Sequence, residues 1–561
     1  MKRVFVEATT VGDLVDRAAA ESGGDAIVFP GERVTYPELA ELTDRFARSL
    51  RALGIGRQDK VGILMGNQLD FAAALVGACK LGAVPVPING RFKAHELSHV
   101  IAHADIKVLL TAAGTDEAVD FPGLLAEVFP DAARQEPGRL RLEAAQELRS
   151  LVHLNGERPG FLTRAAFEAG ADGISDEELR TLQSRVAVRD VAMLMYTSGT
   201  TARPKGCLLT HEAVVRHGIN VQRTKFHMSP ETSDVFWDPL PMFHIGGIVP
   251  MLGCIGNRAT FVHAGHFDPL ISLHQLQDER CTIAYPAFDL IWLAILDHPR
   301  YPEFDLSRLR LVQSITTPER MRDLQQRTPW AVEVTSFGCT ESASNTTLGA
   351  ADDPEELRLS TLGTVVPGLE LKIVDHETGN ELPPDEVGEL CLRGYARFEG
   401  YYKDVEQTER AIDAGGWFHT GDLGSLDENG YLRYSGRLKD MLKVGGENVA
   451  SIEIEDYLVR HPAVNIAQVV GAPDARYDEV PAAFVELTPG HSATADELIA
   501  FCVGKIATYK VPRYVRFVDE WPMSGTKIKK FVLREQIAEE LARQGVTEAF
   551  RIDPHGRIVR P

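Results

Sequence analysis

Tyr196-Thr197-Ser198-Gly199-Thr200-Thr201-Ala202-Arg203-Pro204-Lys205-Gly206 is the stretch from which the rest of this chain is read. It places four hydroxyls besides Tyr196, two glycines and a lysine in one short loop after the apolar run Val191 to Met195. Cys207-Leu208-Leu209 reads as a second strand, which makes the loop a hairpin tip. Backbone N–H groups and hydroxyls in such a loop can curl around a polyanion, and Lys205 adds a point charge. Thr197, Ser198, Gly199, Thr200, Thr201 and Lys205 are therefore candidate phosphate ligands. The G-x-x-x-x-G-K-[ST] spacing of a Walker loop is missing, and a Walker loop runs from strand into helix, so a triphosphate would be held here in a different way.

The surroundings fit a globular protein. A chain of 561 residues is too long for one core, and its apolar and charged fractions, 44% and 25%, are ordinary. The formal net charge of −21 argues against a general nucleic-acid surface. Seven cysteines with no C-x-x-C pair argue against a zinc or disulfide framework and for a reduced compartment. The first residues lack the apolar core of a signal peptide, and no run of about 18 apolar residues occurs. A cytoplasmic protein without a membrane span is expected.

Helix and strand patterns alternate from the start. Leu39, Leu42, Phe46, Leu50 and Leu53 recur at helical spacing and Gly54 supplies the stop. A strand at Val61–Met65, a helix at Asp70–Leu81, a strand at Val84–Ile88, a helix at His95–Ala104 and a strand at Ile106–Leu110 follow, which implies parallel sheets covered on both faces. Residues 113–188 are acidic and Gly-rich, with Val152-His153-Leu154 the clearest strand. The phosphate loop opens a second α/β region that closes near Leu348. Short strands with Gly, Pro and Asp turns from Gly363 to Arg433 read as a small β-barrel or sheet. Beyond Gly436 comes an α+β piece, with helices at Ile452–Val459 and Ala495–Ile506 and strands at Ala467–Val470 and Ala482–Glu486.

Further motifs stand in a fixed order after the loop: Phe337-Gly338-Cys339-Thr340-Glu341, Thr420-Gly421-Asp422, Tyr434-Ser435-Gly436-Arg437-Leu438-Lys439-Asp440, Gly445-Gly446-Glu447-Asn448 and Lys527-Ile528. Together they resemble the adenylate-forming superfamily of acyl-CoA synthetases, amino-acid adenylation domains and beetle luciferases, most closely its AMP-dependent CoA ligase branch. The resemblance spans most of the chain. It implies an α/β fold with a large domain, residues 1–436, of two doubly wound α/β subdomains plus a small β-barrel. A small mobile α+β domain, residues 437–561, would rotate about a hinge near Lys439. It further implies ATP, Mg2+ and coenzyme A as cofactors, with a carboxylic acid as partner substrate, and leaves a homodimer open.

Joining a carboxylate to the α-phosphorus of ATP brings two anions together while pyrophosphate leaves, so positive charge and a metal ion are needed where charge develops. Glu341, behind the hydroxyl of Thr340, is the candidate magnesium carboxylate. Phe337, between Ser336 and Gly338, offers an aromatic face for adenine where the family more usually has Tyr. Asp422 can accept from two ribose hydroxyls, and Arg437 can reach the ribose or phosphates. In the family a lysine near the C-terminus bridges the carboxylate and the α-phosphate. Lys527, which Ile528 follows as in the family, is preferred here, although Thr526 replaces the usual glycine before it and Lys529 and Lys530 compete. The resemblance also implies that rotation about Lys439 swaps that lysine for the face carrying Lys443, Gly445 and Gly446, past which a pantetheine arm would run.

His244, in Pro241-Met242-Phe243-His244-Ile245-Gly246-Gly247, stands where the family places one wall of the acyl pocket, with Gly246 leaving space beside it. Ser314, Thr316 and Ser342 would add polar contacts deeper in. Amino-acid-activating relatives carry an aspartate in the His244 segment, and none lies between Pro241 and Ile255. Two further departures stand out: Ala202 for a loop glycine, and Ser314-Ile315-Thr316-Thr317-Pro318 for the Gly-Gly-Ala that lines adenine. The expected activity is ATP-dependent acid–CoA ligation with a non-amino fatty, aromatic or other acid of medium size or larger. An acyl-AMP ligase loading a carrier protein, a luciferase-like oxygenase and an inactive nucleotide-binding regulator are the alternatives, and the intact Lys205, Glu341, Asp422 and Lys527 count against the last.

Overall fold

The first alternation of apolar runs and amphipathic stretches builds a five-stranded sheet. Its strands lie in the order Val84–Pro87, Lys60–Leu64, Ile106–Thr111, Ser150–His153, Phe161–Thr163, and every pairing is parallel. The covering helix Tyr36–Ala52 starts in a capping box between Thr35 and Glu38 and stops before Gly54, whose φ of 84° closes the turn. The helix Leu69–Lys80 is buried except at Asp70, and its Lys80 ammonium is neutralised by Asp16 (2.6 Å) and Asp44. The computed structural model describes residues 8–114, 119–197, 204–444, 447–524, 527–552 and 558–559.

Within residues 113–188 the structure adds a second strand, Phe161–Thr163, and the helices Phe121–Val128, Arg164–Glu168 and Asp176–Gln183. The last begins on a Ser175 cap with three acids in its first turn and buries Leu179 and Gln183, one turn apart on one face. A seven-stranded sheet follows in the order Val332–Val334, Leu311–Ile315, Ile283–Phe288, Val235–Asp238, Thr260–His263, Asp25–Phe29, Glu32–Thr35. Its pairings are parallel except the antiparallel hairpin of the last two, so the N-terminal residues complete a sheet built mainly by the second α/β region.

The chain separates into two compact units, Met1–Leu371 with Leu392–Phe418, and Lys372–Cys391 with His419–Pro561. The division expected at residues 436/437 follows the hinge motif, whereas packing groups residues 372–391 and 419–436 with the C-terminal part. The strands Leu369–Val374, Gly388–Gly394, Phe418–Leu426 and Leu432–Arg437 form a sheet in that order. This is the segment expected as a small β-barrel or sheet; it forms the sheet, since four strands are too few to close a barrel, and the helix Val405–Ala411 interrupts the run. In the second unit the long antiparallel pair Val464–Asp474 and Asp478–Leu487 carries the smaller strands Met441–Val444, Glu447–Ala450 and Tyr514–Phe517. The helices Ser451–Leu458, Ala495–Cys502 and Lys530–Gln544 complete it, the second ending at Cys502, short of the expected Ile506. Among the described residues no helix is long and apolar enough to cross a membrane, and the seven cysteines are unbonded.

Candidate active site

The phosphate loop sits on a hairpin. Val191–Thr197 pairs antiparallel with Lys205–Thr210, and Thr197 faces Lys205 across the ladder. Ser198, Gly199, Thr200, Thr201 and Ala202 lie outside the described residues. The second strand is laced to residues 399–402: Tyr402 N donates to Gly206 O (2.7 Å), Leu208 N to Gly400 O (3.1 Å) and Glu399 N to Leu208 O (2.9 Å). Tyr401 is thereby set beside Cys207. Its ring lies 5.2 Å from the Lys205 ammonium, and its hydroxyl donates to Glu341 Oε1 at 3.0 Å.

Glu341 is partly exposed and anchored a second way, since Phe398 N donates to its carbonyl (2.8 Å). Burial pushes the Tyr401 phenol well up, and the Glu341 charge adds to this, so Tyr401 is a permanent donor. The lysine, the strand that leaves the loop and the carboxylate expected to hold magnesium thus share one aromatic residue. Nothing in the motif reading selected Tyr401; the available signal was an aromatic pair directly after Gly400, opposite the strand that leaves the loop.

The Thr340–Ser342 turn is closed by Ser342, whose hydroxyl accepts from Cys339 N (3.2 Å) and Thr346 Oγ1 (2.8 Å) and donates toward Cys339 O and Ser344 O. That hydroxyl shapes the turn. Gly338 is required by close approach: a Cβ there would stand 2.0 Å from Ser344 O. Phe337 is buried, and Ser336 accepts from Gln313 Nε2 (2.9 Å) and donates to Asn345 Oδ1 (3.1 Å). Thr316 donates to Asp289 (2.7 Å), and Ser314 is fully buried with no hydrogen-bond partner on its hydroxyl among the described residues.

His244 is exposed and caps the N-terminal end of the helix Ile245–Asn257. The space expected beside it is filled: a Cβ on Gly246 would meet Leu240 Cδ1 at 2.9 Å, and one on Gly247 would meet Pro241 O at 2.7 Å. These glycines let the helix start pack onto the preceding turn. A cavity of about 10 Å3, room for one water, lies a turn further along. Val249 and Pro250 of that helix, Val221 and Gln222 of the helix His211–Lys225, and Tyr285, Ser344 and Asn345 line it. The two helices cross almost backbone to backbone, since a Cβ on Gly218 would meet Val249 O at 2.5 Å and one on Gly253 would meet Gly218 O at 2.7 Å. Behind the cavity, His217 Nε2 donates to Asn345 O (2.8 Å), and burial lowers its pKa to about 4.

In the second unit Asp422 and Arg437 face each other on adjacent strands, with Arg437 Nε donating to Asp422 Oδ1 (3.2 Å) and Tyr434 OH to the same oxygen (3.1 Å). Burial works against the Arg437 charge, but Asp422, Tyr434 and Asp440 together outweigh it, and the guanidinium is held more firmly protonated than usual. The Thr420-Gly421-Asp422 turn is fixed from below: Thr420 Oγ1 accepts from Asp422 N (3.0 Å) and donates to Leu390 O (2.8 Å), while Gly421 N donates to Glu389 Oε1 (3.0 Å). His419 Nδ1 lies 2.8 Å from Glu389 and 3.4 Å from Cys391 Sγ, so this Glu–Cys–His group supports the turn.

Lys439 is partly buried in the short turn Leu438–Asp440, and burial lowers its pKa. Lys443 is exposed, its N–H donating to Glu479 (3.1 Å); Gly445 and Gly446 lie outside the described residues. The backbone of Lys527 pairs with Ser524 in a two-stranded ladder. Lys530 is engaged elsewhere, donating to Glu455 (2.6 Å) and Ser451 Oγ (2.8 Å). Lys529 precedes the helix Lys530–Gln544.

Comparison with known proteins agrees with this layout. Residues 15–402 match the model of the AMP-binding enzyme family, and residues 453–527 match that of the AMP-binding enzyme C-terminal domain. The chain is 36% identical to the putative acyl-CoA synthetase YngI of Bacillus subtilis, covering 95% of this chain and 97% of that one. It is 30% identical to the mitochondrial medium-chain acyl-CoA ligase ACSF2 of Bos taurus, covering 95% and 88%. Among solved structures, ATP-bound MatB from Rhodopseudomonas palustris matches with a TM-score of 0.81 at 26% identity, covering 95% of this chain and all of that one. The anthranilate CoA ligase AuaEII in complex with anthranoyl-AMP matches with a TM-score of 0.82 at 26% identity, covering 95% and 98%. The chain belongs to the AMP-binding, adenylate-forming enzymes, in their acyl-CoA synthetase and ligase family.

Proposed function

We propose that this enzyme joins a non-amino carboxylic acid to coenzyme A through an acyl-AMP intermediate. The observation that carries the reading is the Lys205–Tyr401–Glu341 arrangement, which ties the Lys205 end of the hairpin to a fixed, partly exposed carboxylate. Such a carboxylate is a hard oxygen ligand that fits magnesium, which when bound supplies positive charge to the phosphate oxygens. Lys205 places a second positive charge at the hairpin. Asp422, oriented by Tyr434 and Arg437, takes the ribose hydroxyls. Lys527 serves the adenylation step, in which the acid's oxygen bonds the α-phosphorus and pyrophosphate departs; Lys530, tied to Glu455, is the poorest of the three candidates. Coenzyme A as acceptor fits the names of the relatives, and the Lys443 to Gly446 face is assigned to its arm after rotation about Lys439.

The acyl chain is assigned to the side of the helix Ile245–Asn257 that follows His244, and the water-sized cavity between the two helices marks its far end. Ser344 and Asn345 on the cavity wall follow Glu341 closely in sequence, and Val249 and Pro250 follow His244 in one helix. The near-contact of Gly218 and Gly253 blocks passage between the helices, which favours a medium-sized acid over a long one. Asp238, the carboxyl just before this segment, is fully buried, accepts from Leu240 N (2.8 Å), and is held well above the usual carboxylate range by burial, so it is no ready partner for an ammonium group. The test is acid-dependent pyrophosphate release across a panel of short, medium, long and aryl acids and free amino acids. Turnover should peak with a medium-sized non-amino acid; a peak with an amino acid, or no acid dependence, would overturn the reading.

A further inference from the structure

The group beneath the Thr420-Gly421-Asp422 turn has the composition of a metal site. Glu389 and Cys391 stand two residues apart on the strand Gly388–Gly394 and so share a face, and His419 comes from the neighbouring strand Phe418–Leu426. His419 Nδ1 lies 2.8 Å from Glu389 Oε2 and 3.4 Å from Cys391 Sγ, and the oxygen, the sulfur and the nitrogen are all within 4.8 Å of one another. A ring nitrogen has one proton or one lone pair to share, whereas a single cation accepts from all three atoms at once. Tetrahedral bonds of about 2.0–2.3 Å place such ligand atoms about 3.3–3.5 Å apart, so small side-chain movements bring the three onto one ion. Glu389 is 8% exposed and Cys391 is fully buried, while His419 is partly exposed and leaves one side open to water. Among the described residues no other three side chains of these types are gathered in this way.

We propose that Glu389, Cys391 and His419 bind a zinc ion, with water in the fourth position. A carboxylate and a thiolate together cancel the charge of a divalent cation, so the filled site is neutral, as a largely buried one has to be. Thiolate and imidazole select a softer ion than magnesium, which separates this site from the oxygen ligand Glu341. On binding, the thiol releases its proton to solvent and the imidazole carries its own on Nε2, which leaves Sγ and Nδ1 to the metal. The other Glu389 oxygen, Oε1, keeps the N–H of Gly421 (3.0 Å), and Thr420 Oγ1 keeps its bond to Leu390 O between the two ligands of the first strand (2.8 Å). The ion thereby fastens both strands to the turn that carries Asp422. Because the site takes one cysteine and draws on two strands, it leaves no C-x-x-C in the sequence. It stands independently of the acid, acceptor and nucleotide assignments made above.

The test titrates Co2+, as a spectroscopic stand-in for zinc, into the full chain freed of metal with a chelator and without nucleotide. Wild type should take up Co2+ with a thiolate-to-cobalt absorption in the near ultraviolet and the intense visible bands of tetrahedral coordination, and added Zn2+ should bleach both. Cys391→Ser should abolish the ultraviolet band, and His419→Gln and Glu389→Gln should each weaken Co2+ binding by about tenfold or more. Cys339→Ser, which removes the partly exposed thiol, should leave the band in place. Zn2+ should raise the melting temperature of wild type and not that of Cys391→Ser. A wild-type protein without the thiolate band, a band that survives Cys391→Ser, or one lost in Cys339→Ser overturns the proposal. Circular dichroism before metal is added shows whether each variant is folded. Should Cys391→Ser not fold, His419→Gln decides with all seven thiols retained, and an unchanged Co2+ affinity there overturns the site.

Discussion

Removing one oxygen atom, in Tyr401→Phe, tests the arrangement that joins the phosphate hairpin to Glu341. The phenol donates to Glu341 Oε1 at 3.0 Å, while the ring faces Lys205 5.2 Å away. Phenylalanine keeps the ring, so the lysine retains its aromatic neighbour and only the carboxylate loses a donor. A hydrogen bond to a charged group contributes about 1.5–3 kcal/mol. If that energy holds Glu341 in its working orientation, kcat/KM for ATP falls by roughly 10- to 150-fold, at about 1.4 kcal/mol per factor of ten. Stability should change far less, by under about 1 kcal/mol, because Glu341 is partly exposed and water can replace the lost donor. The assay is acid-dependent pyrophosphate release alongside thermal unfolding, with Glu341→Gln as the companion variant. Activity within twofold of wild type, or a loss of activity no greater than the loss of folded protein, would refute the reasoning.

Three other outcomes are expected. In Gly338→Ala a Cβ would stand 2.0 Å from Ser344 O and 2.7 Å from Ser344 C, both backbone; overpacking of this kind costs about 1–3 kcal/mol, so melting temperature and adenylation should both fall, and an unchanged melt would contradict the packing. Lys527→Ala should lose most acyl-AMP synthesis, by roughly a hundredfold or more, yet still convert supplied acyl-AMP and coenzyme A to thioester; equal losses in both half-reactions would point to Lys529 or to misfolding. The third concerns acid. Buried His217 has its pKa lowered to about 4 from 6.5, so below pH 6.5 the unfolded chain takes up a proton that the folded one refuses, and stability is lost as pH falls. Between pH 6.5 and 5 that amounts to ~2 kcal/mol, which His217→Gln should be spared; parallel pH–melting curves for the two proteins would exclude it.

Much of the fold is legible in local patterns, and the parts that are not have physical reasons. The helix Tyr36–Ala52 and the strand Ile106–Thr111 are readable because apolar period, cap and stop coincide. The helix Asp176–Gln183 is polar on most of its surface, and only the Ser175 cap and the narrow buried face of Leu179 and Gln183 mark it. That Asp25–Phe29 pairs with Thr260–His263 across some 235 residues of sequence has no local signature at all. In the site, Lys205, Glu341 and Asp422 stand out because their motifs have fixed spacing. Tyr401 and Tyr285 do not: each acquires its place from strands distant in sequence, and a lone tyrosine is most often a core residue with its hydroxyl satisfied. Gly246 and Gly247 show the converse, since glycine leaves space only where no neighbour moves in to take it, and here the Leu240 side chain closes on Gly246 and the carbonyls of Leu240 and Pro241 close on Gly247.

Acid–CoA ligation itself is tested most directly by following one turnover of a medium-sized acid, with ATP, magnesium and coenzyme A, by mass spectrometry of every product. Stoichiometric AMP, pyrophosphate and acyl-CoA, with acyl-AMP accumulating only when coenzyme A is withheld, is the expected result. Acyl-AMP that persists in the presence of coenzyme A and is discharged only onto a phosphopantetheinyl carrier protein would contradict it.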